Sequence, residues 1–163
     1  MKDIILFALR DEAPGIVDAY GNVFVTGVGK VQAAVTATRL IHRHRPRRVI
    51  NLGTAGGVTL QAGIWRANRV VQHDVDLRPL GLAPGHQLGD RYPEIALGGQ
   101  GHLCGSGDLF VTDTSKLRLP VDMVEMEAYS IARAAMEHGI DVEVWKWISD
   151  AADGSSAKDW TAS

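Results

Sequence analysis

Two acidic residues and one segment of small residues come shortly after apolar, strand-like runs of the sequence. Glu12 comes shortly after the run Ile4–Leu9, Asp150 follows Val142–Ile148, and the segment Gly53–Gly57 follows a third run. In sheets of parallel strands, ligands bind beyond the carboxyl ends of the strands. A carboxylate in that position can take up or release a proton during a reaction. We therefore expect the chemistry of the protein at these three places.

The acidic residues also have purely structural interpretations. An acid just past a strand, such as Asp150, often caps the helix that follows. Glu125 and Glu127 fall at the predicted start of a helix, where the helix dipole stabilises acidic side chains. Residues two apart on a helix point roughly 200° away from each other, so only one of these carboxylates would face a given pocket. From spacing alone, the structural interpretations are favoured.

The segment Gly27–Lys30 has glycines and a lysine like a phosphate-binding loop, but the full pattern is incomplete. That pattern needs a glycine where this sequence has Phe24 and a serine or threonine where it has Val31. The sequence therefore does not predict a nucleoside triphosphate site. A plain turn from a strand into a helix and a helix N-terminus that lines a pocket are about equally supported.

Other polar clusters are weaker candidates. The basic stretch His42–Arg48 ends a predicted helix and lacks interleaved aromatic residues, which favours a solvated helix end over a nucleic-acid site. The stretch His73–Asp76 contains three potential metal ligands, but a strand would place its aspartates on one face and its histidine on the other. We favour a structural or substrate-loop role for that stretch, and a packing role for Cys104.

The segments that position these residues alternate between strands and helices. A helix from Gly29 to about Arg43 is predicted by residues at three-to-four spacing that would form its apolar face: Val31, Ala34, Val35, Thr38 and Ile41. An alanine-rich stretch predicts another helix over Val124–His138. The alternation predicts an α/β protein with a mainly parallel sheet. The predicted strands are Ile4–Leu9, Asn22–Thr26, Arg48–Leu52 and Val142–Ile148, with weaker candidates at Val70-Val71 and His102–Cys104.

The composition is that of one ordinary globular domain. The chain has 163 residues, of which 45% are hydrophobic and 22% charged. The Gly- and Pro-rich stretch Leu77–Gly101 is predicted to be a loop, since too little chain remains on either side for two cores. A net charge of −2 gives no attraction to nucleic acid or anionic membranes. A single cysteine excludes an intramolecular disulfide and favours a reducing compartment.

The N-terminus does not resemble a targeting segment. Its apolar run Ile4–Leu9 has six residues, fewer than the roughly 7–15 of a secretory signal. No run approaches the ~20 apolar residues of a membrane span. We therefore expect a cytoplasmic protein without a membrane segment.

Six segments carry a combined signal that none of them carries alone. In chain order they are Ala8–Glu12, Thr26–Ala34, Val49–Gly57, Gly105–Val111, Val124–Ala128 and Ile148–Asp153. Together they resemble the purine nucleoside phosphorylase and nucleosidase superfamily, and most of all its 5′-methylthioadenosine/S-adenosylhomocysteine nucleosidase branch. The resemblance implies a single domain over residues 1–163, a three-layer α/β/α fold around a mixed, mainly parallel central sheet, shortened relative to the family.

Carried over by position, the resemblance implies a role for each site residue. Glu12 would be the base that activates the attacking water, and Asp150 the acid that protonates the purine at N7. Glu127 would hold the ribose hydroxyls, and Phe110 would stack on the base. The Thr54 hydroxyl would lie near the sugar and the nucleophile, the Val111 backbone would contact the edge of the base, and Met126 would pack against the sugar. The full set of positions implied to bind substrate is Thr54, Phe110, Val111, Glu125, Met126, Glu127 and Ser149.

These residue types suit the cleavage of an N-glycosidic bond. The reaction develops positive charge on the sugar and negative charge on the purine. An acid on the purine side cancels the negative charge and contributes on the order of 10²–10⁴ in rate. Carboxylates near the sugar stabilise the positive charge when water is excluded. Opposite roles for Glu12 and Asp150 require different environments, and we expect Asp150 to be the more easily protonated.

Hydrolysis is favoured over phosphorolysis. The superfamily's phosphorylases supply arginines for phosphate, one of them two residues before the glycine of a Gly-Thr pair. Asn51 stands at that position here and cannot neutralise a phosphate dianion. Glu12 would in addition repel phosphate. Arg10 keeps phosphorolysis as the alternative.

The sequence departs from the family pattern in three ways. Lys146 stands where the nucleosidases usually carry an arginine that steadies the catalytic glutamate, and the two residues differ in geometry. The middle of the chain, about 76–103, is shorter than in the family, and Ser163 comes before the family's usual final helix. Because missing cover would expose apolar sheet surface, we expect a homo-oligomer, dimer or larger, with the Leu80–Leu88 loop closing a neighbour's pocket.

The sequence thus predicts a purine nucleosidase that hydrolyses an adenosine-type nucleoside with a modified 5′ group, releasing the purine base and the ribose moiety. Its expected partner is a small-molecule purine nucleoside; no nucleic acid, membrane, metal or cofactor is expected. The alternatives are a phosphate-dependent purine nucleoside phosphorylase and a catalytically weak relative that binds nucleosides.

Overall fold

A computed structural model describes residues 2–156 and residue 158 of the chain. Within these residues the chain forms eight strands, three α-helices and three short 3₁₀ turns. The strands are β1 Ile4–Phe7, β2 Val23–Val25, β3 Arg48–Gly57, β4 Ile64–Gln72, β5 Glu94–Ala96, β6 His102–Ser106, β7 Met123–Glu125 and β8 Asp141–Asp150. The helices are α1 Ile16–Ala19, α2 Lys30–His44 and α3 Ala128–Glu137, and the 3₁₀ turns are Arg10–Glu12, Arg78–Leu80 and Thr114–Lys116.

The strands form one mixed sheet that closes partly on itself. Its order is β2-β1-β3-β7-β6-β4-β5, and β8 bridges β3 and β4, so that β3, β7, β6, β4 and β8 form a ring. Parallel pairings join β1 to β2 and β3, β3 to β8, and β6 to β4 and β7. The remaining pairings are antiparallel. This topology confirms the predicted α/β class with a mixed, mainly parallel sheet.

Alternation along β1 and β3 divides the core between two faces of the sheet. Ile4, Leu6 and Val49 are buried against α2 and α3, where Ile41 and Ile131 meet them. This is expected because alternate residues of a strand point to opposite faces. The predicted helix α2 is confirmed, but its predicted apolar face is wrong except for Ile41. Val31 and Val35 are 73% and 62% exposed, and the residues of α2 that are buried in this core are Ala33, Ala37, Leu40 and Ile41.

The opposite face of the sheet carries a thinner layer. Phe7 packs there with Ala13, which follows a 3₁₀ turn, and with Val17 of α1. Farther along the sheet, Ile64 is 68% exposed and Trp147, its neighbour across β4 and β8, is 46% exposed. The expected uncovered apolar sheet surface is therefore present. Within the described residues, no helix is both long and apolar enough to cross a membrane.

The predicted turn at Gly53–Gly57 is wrong, because β3 runs on through this segment to Gly57. Its small residues pair with β8 on one side, and the last two pair with β7 on the other. Small residues are typical of turns, but they also occur where another chain segment must approach a strand closely. Pairing with strands distant in the sequence decided the outcome here.

The predicted start of the second helix is also wrong. Val124 and Glu125 belong to β7, which pairs with β3 and β6, and α3 begins only at Ala128. Glu125 and Glu127 therefore do not share a helix, and the expectation that they diverge as helical neighbours does not hold. Propensity favours a helix through this stretch, but strand pairing across the sheet outweighs it.

The packing of α3 leads to a stability prediction. Replacing Ile131 with alanine removes methylene and methyl groups from a fully buried site, so it should lower the free energy of unfolding by about 2–5 kcal/mol. The matched control is Ile64→Ala, because Ile64 is 68% exposed and its truncation should change stability by about 0.5 kcal/mol or less. Urea unfolding followed by circular dichroism measures both. Equal losses in the two variants would contradict this assignment of the core.

Candidate active site

One cleft brings together every residue that the sequence singled out for substrate chemistry. Its empty volume is about 740 Å³, counting the open mouth. Its walls come from the ends of β3, β7 and β8 and from the segments that follow β1 and β6, precede α2, and join β7 to α3. The predicted site residues that line it are Glu12, Thr54, Phe110, Val111, Glu125, Met126, Glu127, Ser149 and Asp150. The three segments behind the strands therefore meet at one place, as expected from the sheet.

Glu12 is held at one side of the cleft by four hydrogen bonds. The backbone amides of Ala8 and Leu9 donate to its Oε2 at 2.9 and 3.0 Å. The backbone amide and the hydroxyl of Thr54 donate to its Oε1 at 2.9 and 3.0 Å. The carboxylate thus has a defined orientation, and its donors come from the end of β1 and from β3.

A glycine allows Glu12 to approach β3 this closely. A Cβ atom placed on Gly53 would lie 2.9 Å from Glu12 Oε1. Any side chain at position 53 would therefore push the carboxylate away from Thr54. The small residues at this position allow the contact between Glu12 and β3, whereas the sequence pattern predicted a turn.

Asp150 lies at the other side of the cleft, at the end of β8. The pairing of β3 with β8 shifts by one residue here, from Ala55 opposite Ile148 to Gly56 opposite Asp150. Such a bulge changes the direction of the side chains next to it. The Ser149 hydroxyl donates to Asp150 Oδ2 at 2.9 Å, and the Ala152 amide donates to Oδ1 at 2.9 Å. Asp150 therefore caps the following turn and faces the cleft as well.

Glu127 is a buried carboxyl group of the cleft with a raised pKa. Its side chain accepts a hydrogen bond from the Gly29 amide, at 2.9 Å, and the residue is 5% exposed. Burial, followed by the neighbouring charge of Glu125, raises the pKa of Glu127 to about 7. A carboxyl group with such a pKa changes its charge near neutral pH, which is typical of functional sites.

Glu125 lines the cleft but its carboxylate is occupied by protein groups. It accepts hydrogen bonds from the Ser106 hydroxyl and from the amides of Glu127 and Ala128, and Lys146 Nζ lies 2.9 Å from its Oε2. The resemblance implied that the residue at position 146 steadies Glu12. The ion pair that Lys146 makes is with Glu125.

The loop that carries Phe110 and Val111 is tied to the start of α2. Asp108 accepts a hydrogen bond from the Lys30 amide at 2.7 Å, and its own amide donates to Asp74 at 2.9 Å. The Lys30 ammonium completes the link, 2.7 Å from Asp74. Asp74 therefore has the structural role that was favoured for its segment over metal binding.

Relatives with known names match this chain over most of its length. A family model described as the phosphorylase superfamily matches residues 21–96. A 5′-methylthioadenosine/S-adenosylhomocysteine nucleosidase from Actinobacillus succinogenes is 34% identical over 157 residues, covering 80% of this chain and 68% of that protein. Another, from Geobacillus thermodenitrificans, is 32% identical over 182 residues, covering 95% of this chain and 77% of that protein. The chain belongs to this nucleosidase family.

A solved structure of the same nucleosidase family has a similar fold. The enzyme from Helicobacter pylori, crystallised with butyl-thio-DADMe-Immucillin-A, is 25% identical and superposes with a TM-score of 0.86. The match covers 99% of this chain and 90% of that one. The resemblance inferred from six short segments is thereby confirmed at the level of family and fold.

Residues that the sequence did not single out individually also shape the cleft, among them Ser106 and Val28. Ser106 is fully buried behind the cleft, where its hydroxyl bonds Glu125 and accepts a hydrogen bond from the Tyr129 amide. Val28 lines the cleft directly, so the segment Gly27–Lys30 is both a turn into α2 and part of a pocket wall. The only sequence signal for Ser106 was its place within one of the six matching segments.

The remaining polar and cysteine positions lie outside this cleft. The basic stretch His42–Arg48 ends α2 as predicted, and Arg48 pairs with Asp3 and Glu143. Cys104 is buried, and burial raises the pKa of its thiol well above the ordinary value. Within residues 2–156, no group of three or more His, Cys, Asp or Glu side chains is arranged to hold a metal ion.

The raised pKa of Glu127 predicts a pH dependence of stability. Between its ordinary value of 4.5 and about 7, the folded protein binds more protons at this residue than the unfolded chain. The free energy of unfolding should therefore fall as pH rises through this range, by on the order of 2 kcal/mol from this residue. Glu127→Gln should remove that part of the slope.

Urea unfolding of the wild type and of Glu127→Gln at several pH values between 4.5 and 8 measures the difference. Glu137→Gln is the matched control, because Glu137 lies at the exposed end of α3 and pairs only with Arg133 at the surface. Parallel curves for the wild type and Glu127→Gln would contradict the assignment.

Proposed function

We propose that the protein is a purine nucleosidase, which hydrolyses the N-glycosidic bond of an adenosine-type nucleoside with a modified 5′ group, of the 5′-methylthioadenosine or S-adenosylhomocysteine type. The observation that carries the proposal is the meeting of Glu12 and Asp150 in one cleft, which Glu127 also lines. Membership of the nucleosidase family supports the same reaction.

Glu12 activates the attacking water. Its carboxylate is oriented by four donors and lines the cleft, so it can accept a proton from a water molecule held nearby. As the water oxygen bonds to the anomeric carbon of the ribose, its proton passes to Glu12. In the proposed complex, the Thr54 hydroxyl, 3.0 Å from the same carboxylate, contacts both the water and the sugar.

Asp150 acts on the purine. The electrons of the broken glycosidic bond pass to the purine ring, and a proton from Asp150 to N7 neutralises the charge that develops there. Ser149 donates a hydrogen bond to Asp150 and so keeps its carboxyl group directed at the base. Phe110 and Val111 line the same cleft; in the proposed complex the Phe110 ring stacks on the purine and the Val111 backbone contacts its edge.

The ribose lies between these two groups in the proposed complex. Glu127 in its charged form accepts hydrogen bonds from the ribose hydroxyls, and Met126 packs against the sugar. Negative charge at this place also stabilises the positive charge of the breaking sugar ring, because little water surrounds a carboxylate that is 5% exposed.

The surroundings of Arg10 and Asn51 favour water over phosphate as the nucleophile. Arg10 is exposed, pairs with Asp18, and is not among the residues that line the cleft. Asn51 is buried and donates its side-chain amide to the Leu6 carbonyl at 3.2 Å. Neither residue offers a positive charge beside Glu12, which itself repels a phosphate dianion.

Phosphate dependence is the direct test of the reaction type. Incubation with 5′-methylthioadenosine, adenosine and inosine should release free base and free ribose moiety in phosphate-free buffer. Added phosphate should change the rate little, since no cationic site for it faces the cleft within the described residues. Chromatography of the products measures this, and a strict need for phosphate would overturn hydrolysis in favour of phosphorolysis.

Asp150→Asn tests the proposed acid. The amide cannot donate a proton to N7 in the same way, so the turnover of 5′-methylthioadenosine should fall on the order of 10²–10⁴-fold. Circular dichroism should show an intact fold. Asp141→Asn, a matched change at the exposed start of the same strand, should keep wild-type turnover. Unchanged turnover in Asp150→Asn would remove this residue from the mechanism.

We also propose that the protein acts in the cytoplasm as a homo-oligomer of two or more copies. The Leu80–Leu88 loop exposes both of its terminal leucines, at 62% and 69%. These apolar side chains suit contact with a second copy, where they would close a neighbour's pocket. The single cysteine is buried and unpaired, which is compatible with a reducing compartment.

A further inference from the structure

The most deeply buried ion pair in the described part of the chain has no part in the mechanism above. Lys146 and Glu125 are joined at 2.9 Å, and each side chain is 2% exposed. The other ion pairs among these residues include at least one side chain that is more than a tenth exposed. A buried pair is a weak source of net stability, because removing both charges from water costs about what their attraction returns. Because the pair lies beside the cleft, we looked for a role in the arrangement of the site rather than in stability.

Glu125 connects four elements at this point. It lies at the end of β7, bonds the Ser106 hydroxyl of β6, pairs with Lys146 of β8, and accepts the first free amide of α3 at Ala128. It also accepts the amide of Glu127 at 3.0 Å. The backbone on both sides of the Glu127 side chain is thus fixed to one carboxylate.

The Glu125 carboxylate also fixes the position from which the Glu127 side chain extends. With its backbone held by Glu125, the Glu127 side chain extends to the Gly29 amide at 2.9 Å and lines the cleft. Lys146 holds Glu125 from the far side and is not among the residues that line this cleft. Lys146 lines an adjoining cavity, which shares Glu12 and Thr54 with the cleft, and its ion pair connects it to the cleft through Glu125.

We propose that Lys146 and Glu125 are positioning residues for Glu127: they fix the start of α3 and supply the opposed charges that face the Glu127 carboxylate. This inference deepens the proposed function and rests on it for its catalytic meaning. Neither residue needs to touch the reacting atoms. The resemblance implied that Glu125 contacts the substrate. In this proposal Glu125 instead orients Glu127, which makes the contact.

The charged and titratable groups around Glu127 come from several elements. Glu125 lies on β7, Lys146 on β8, Glu12 on the turn after β1, and the Cys104 thiol on β6. Burial and then Glu125 raise the pKa of Glu127, Lys146 lowers it, and Glu12 raises it further. Burial raises the pKa of the Cys104 thiol well above its ordinary value, so this group stays neutral.

The pair itself stays charged. Burial alone would lower the pKa of Lys146, but the charges of Glu125 and Glu127 outweigh it and raise the pKa. Burial alone would raise the pKa of Glu125, but Lys146 and the Ser106 hydroxyl lower it. Two more groups stand nearby: His73, whose pKa burial lowers, lies on the Glu125 side, and Asp150 lines the same cleft.

These charges predict opposite effects for the two single substitutions. Glu125→Gln removes the negative neighbour and leaves Lys146, so the pKa of Glu127 should fall by about one unit or more. Lys146→Met removes the positive neighbour and leaves two carboxylates together, so the pKa of Glu127 should rise by about one unit or more. A merely structural pair would change stability in both variants without shifting the pKa in opposite directions.

The experiment measures the charge of Glu127 in the protein without substrate. Carboxyl ¹³C chemical shifts are followed by NMR from pH 4 to pH 9, with the Glu127 signal assigned by its loss in Glu127→Gln. The acid limb of kcat/KM for 5′-methylthioadenosine is measured over the same range and should move in the same direction. Glu137→Gln serves as the matched control and should shift neither quantity, because Glu137 lies at the exposed end of α3.

The double variant Glu125→Gln/Lys146→Met keeps the test decisive if a single variant fails to fold, because it leaves no unpaired buried charge. Glu125 affects Glu127 more strongly than Lys146 does. The pKa of Glu127 in the double variant should therefore fall, by less than in Glu125→Gln. An unchanged pKa of Glu127 in a folded Glu125→Gln or double variant would overturn the proposal.

Failure of the proposed function gives a different result. If no nucleoside is cleaved, the NMR titrations still report whether the pair governs Glu127, and opposite shifts would support the positioning role. If nucleosides are cleaved and the NMR shifts occur while the acid limb of kcat/KM stays in place, the pair does not serve catalysis and the inference is overturned.

Discussion

Parallel pairing of β1, β3 and β8 is the constraint on which the site depends. Because β3 lies between the other two and all three run the same way, their carboxyl ends reach the same edge of the sheet. Glu12 follows the first of these strands and Asp150 ends the last, so the pairing brings acids from opposite ends of the chain to one cleft. Small residues along β3 let both carboxylates come close to its backbone.

A second constraint is electrostatic. Placing Lys146 where it is 2% exposed requires a carboxylate partner at once, because an unpaired buried charge is strongly destabilising. The partner, Glu125, also holds the amides that begin α3. Glu125 therefore both neutralises a buried charge and holds the start of a helix. The carboxylate of Glu127 extends from this part of the backbone into the cleft.

Much of the fold followed from local pattern. The spacing of apolar residues placed α2 within one residue of each end, although of the residues that predicted it only Ile41 is buried. Apolar runs located β1, β2 and β8, with differences of at most two residues at their ends. Where the pattern failed, at Gly53–Gly57 and at Val124–Glu125, the strands are held by pairings with distant segments. Such pairings leave no local signal.

The candidate site divides in a similar way. The types and order of its residues are properties of the sequence, and six short segments in family order were enough to bring Glu12, Thr54 and Asp150 forward together. What each group contacts depended on the fold. Spacing placed Glu125 and Glu127 on one helix and directed them apart, whereas the structure has one ending a strand and the other preceding a helix, with both at the cleft.

By itself, the sequence determined which chemical groups the protein has, in what order they occur, and which local elements carry them, because helical and strand periodicity are read from neighbouring residues. Tertiary structure alone decided that Lys146 pairs with Glu125, that Gly53 makes room for Glu12, and that the Glu127 carboxyl group titrates near neutral pH. The physical reason is that burial, close approach and charge pairing are set by residues far apart in the chain.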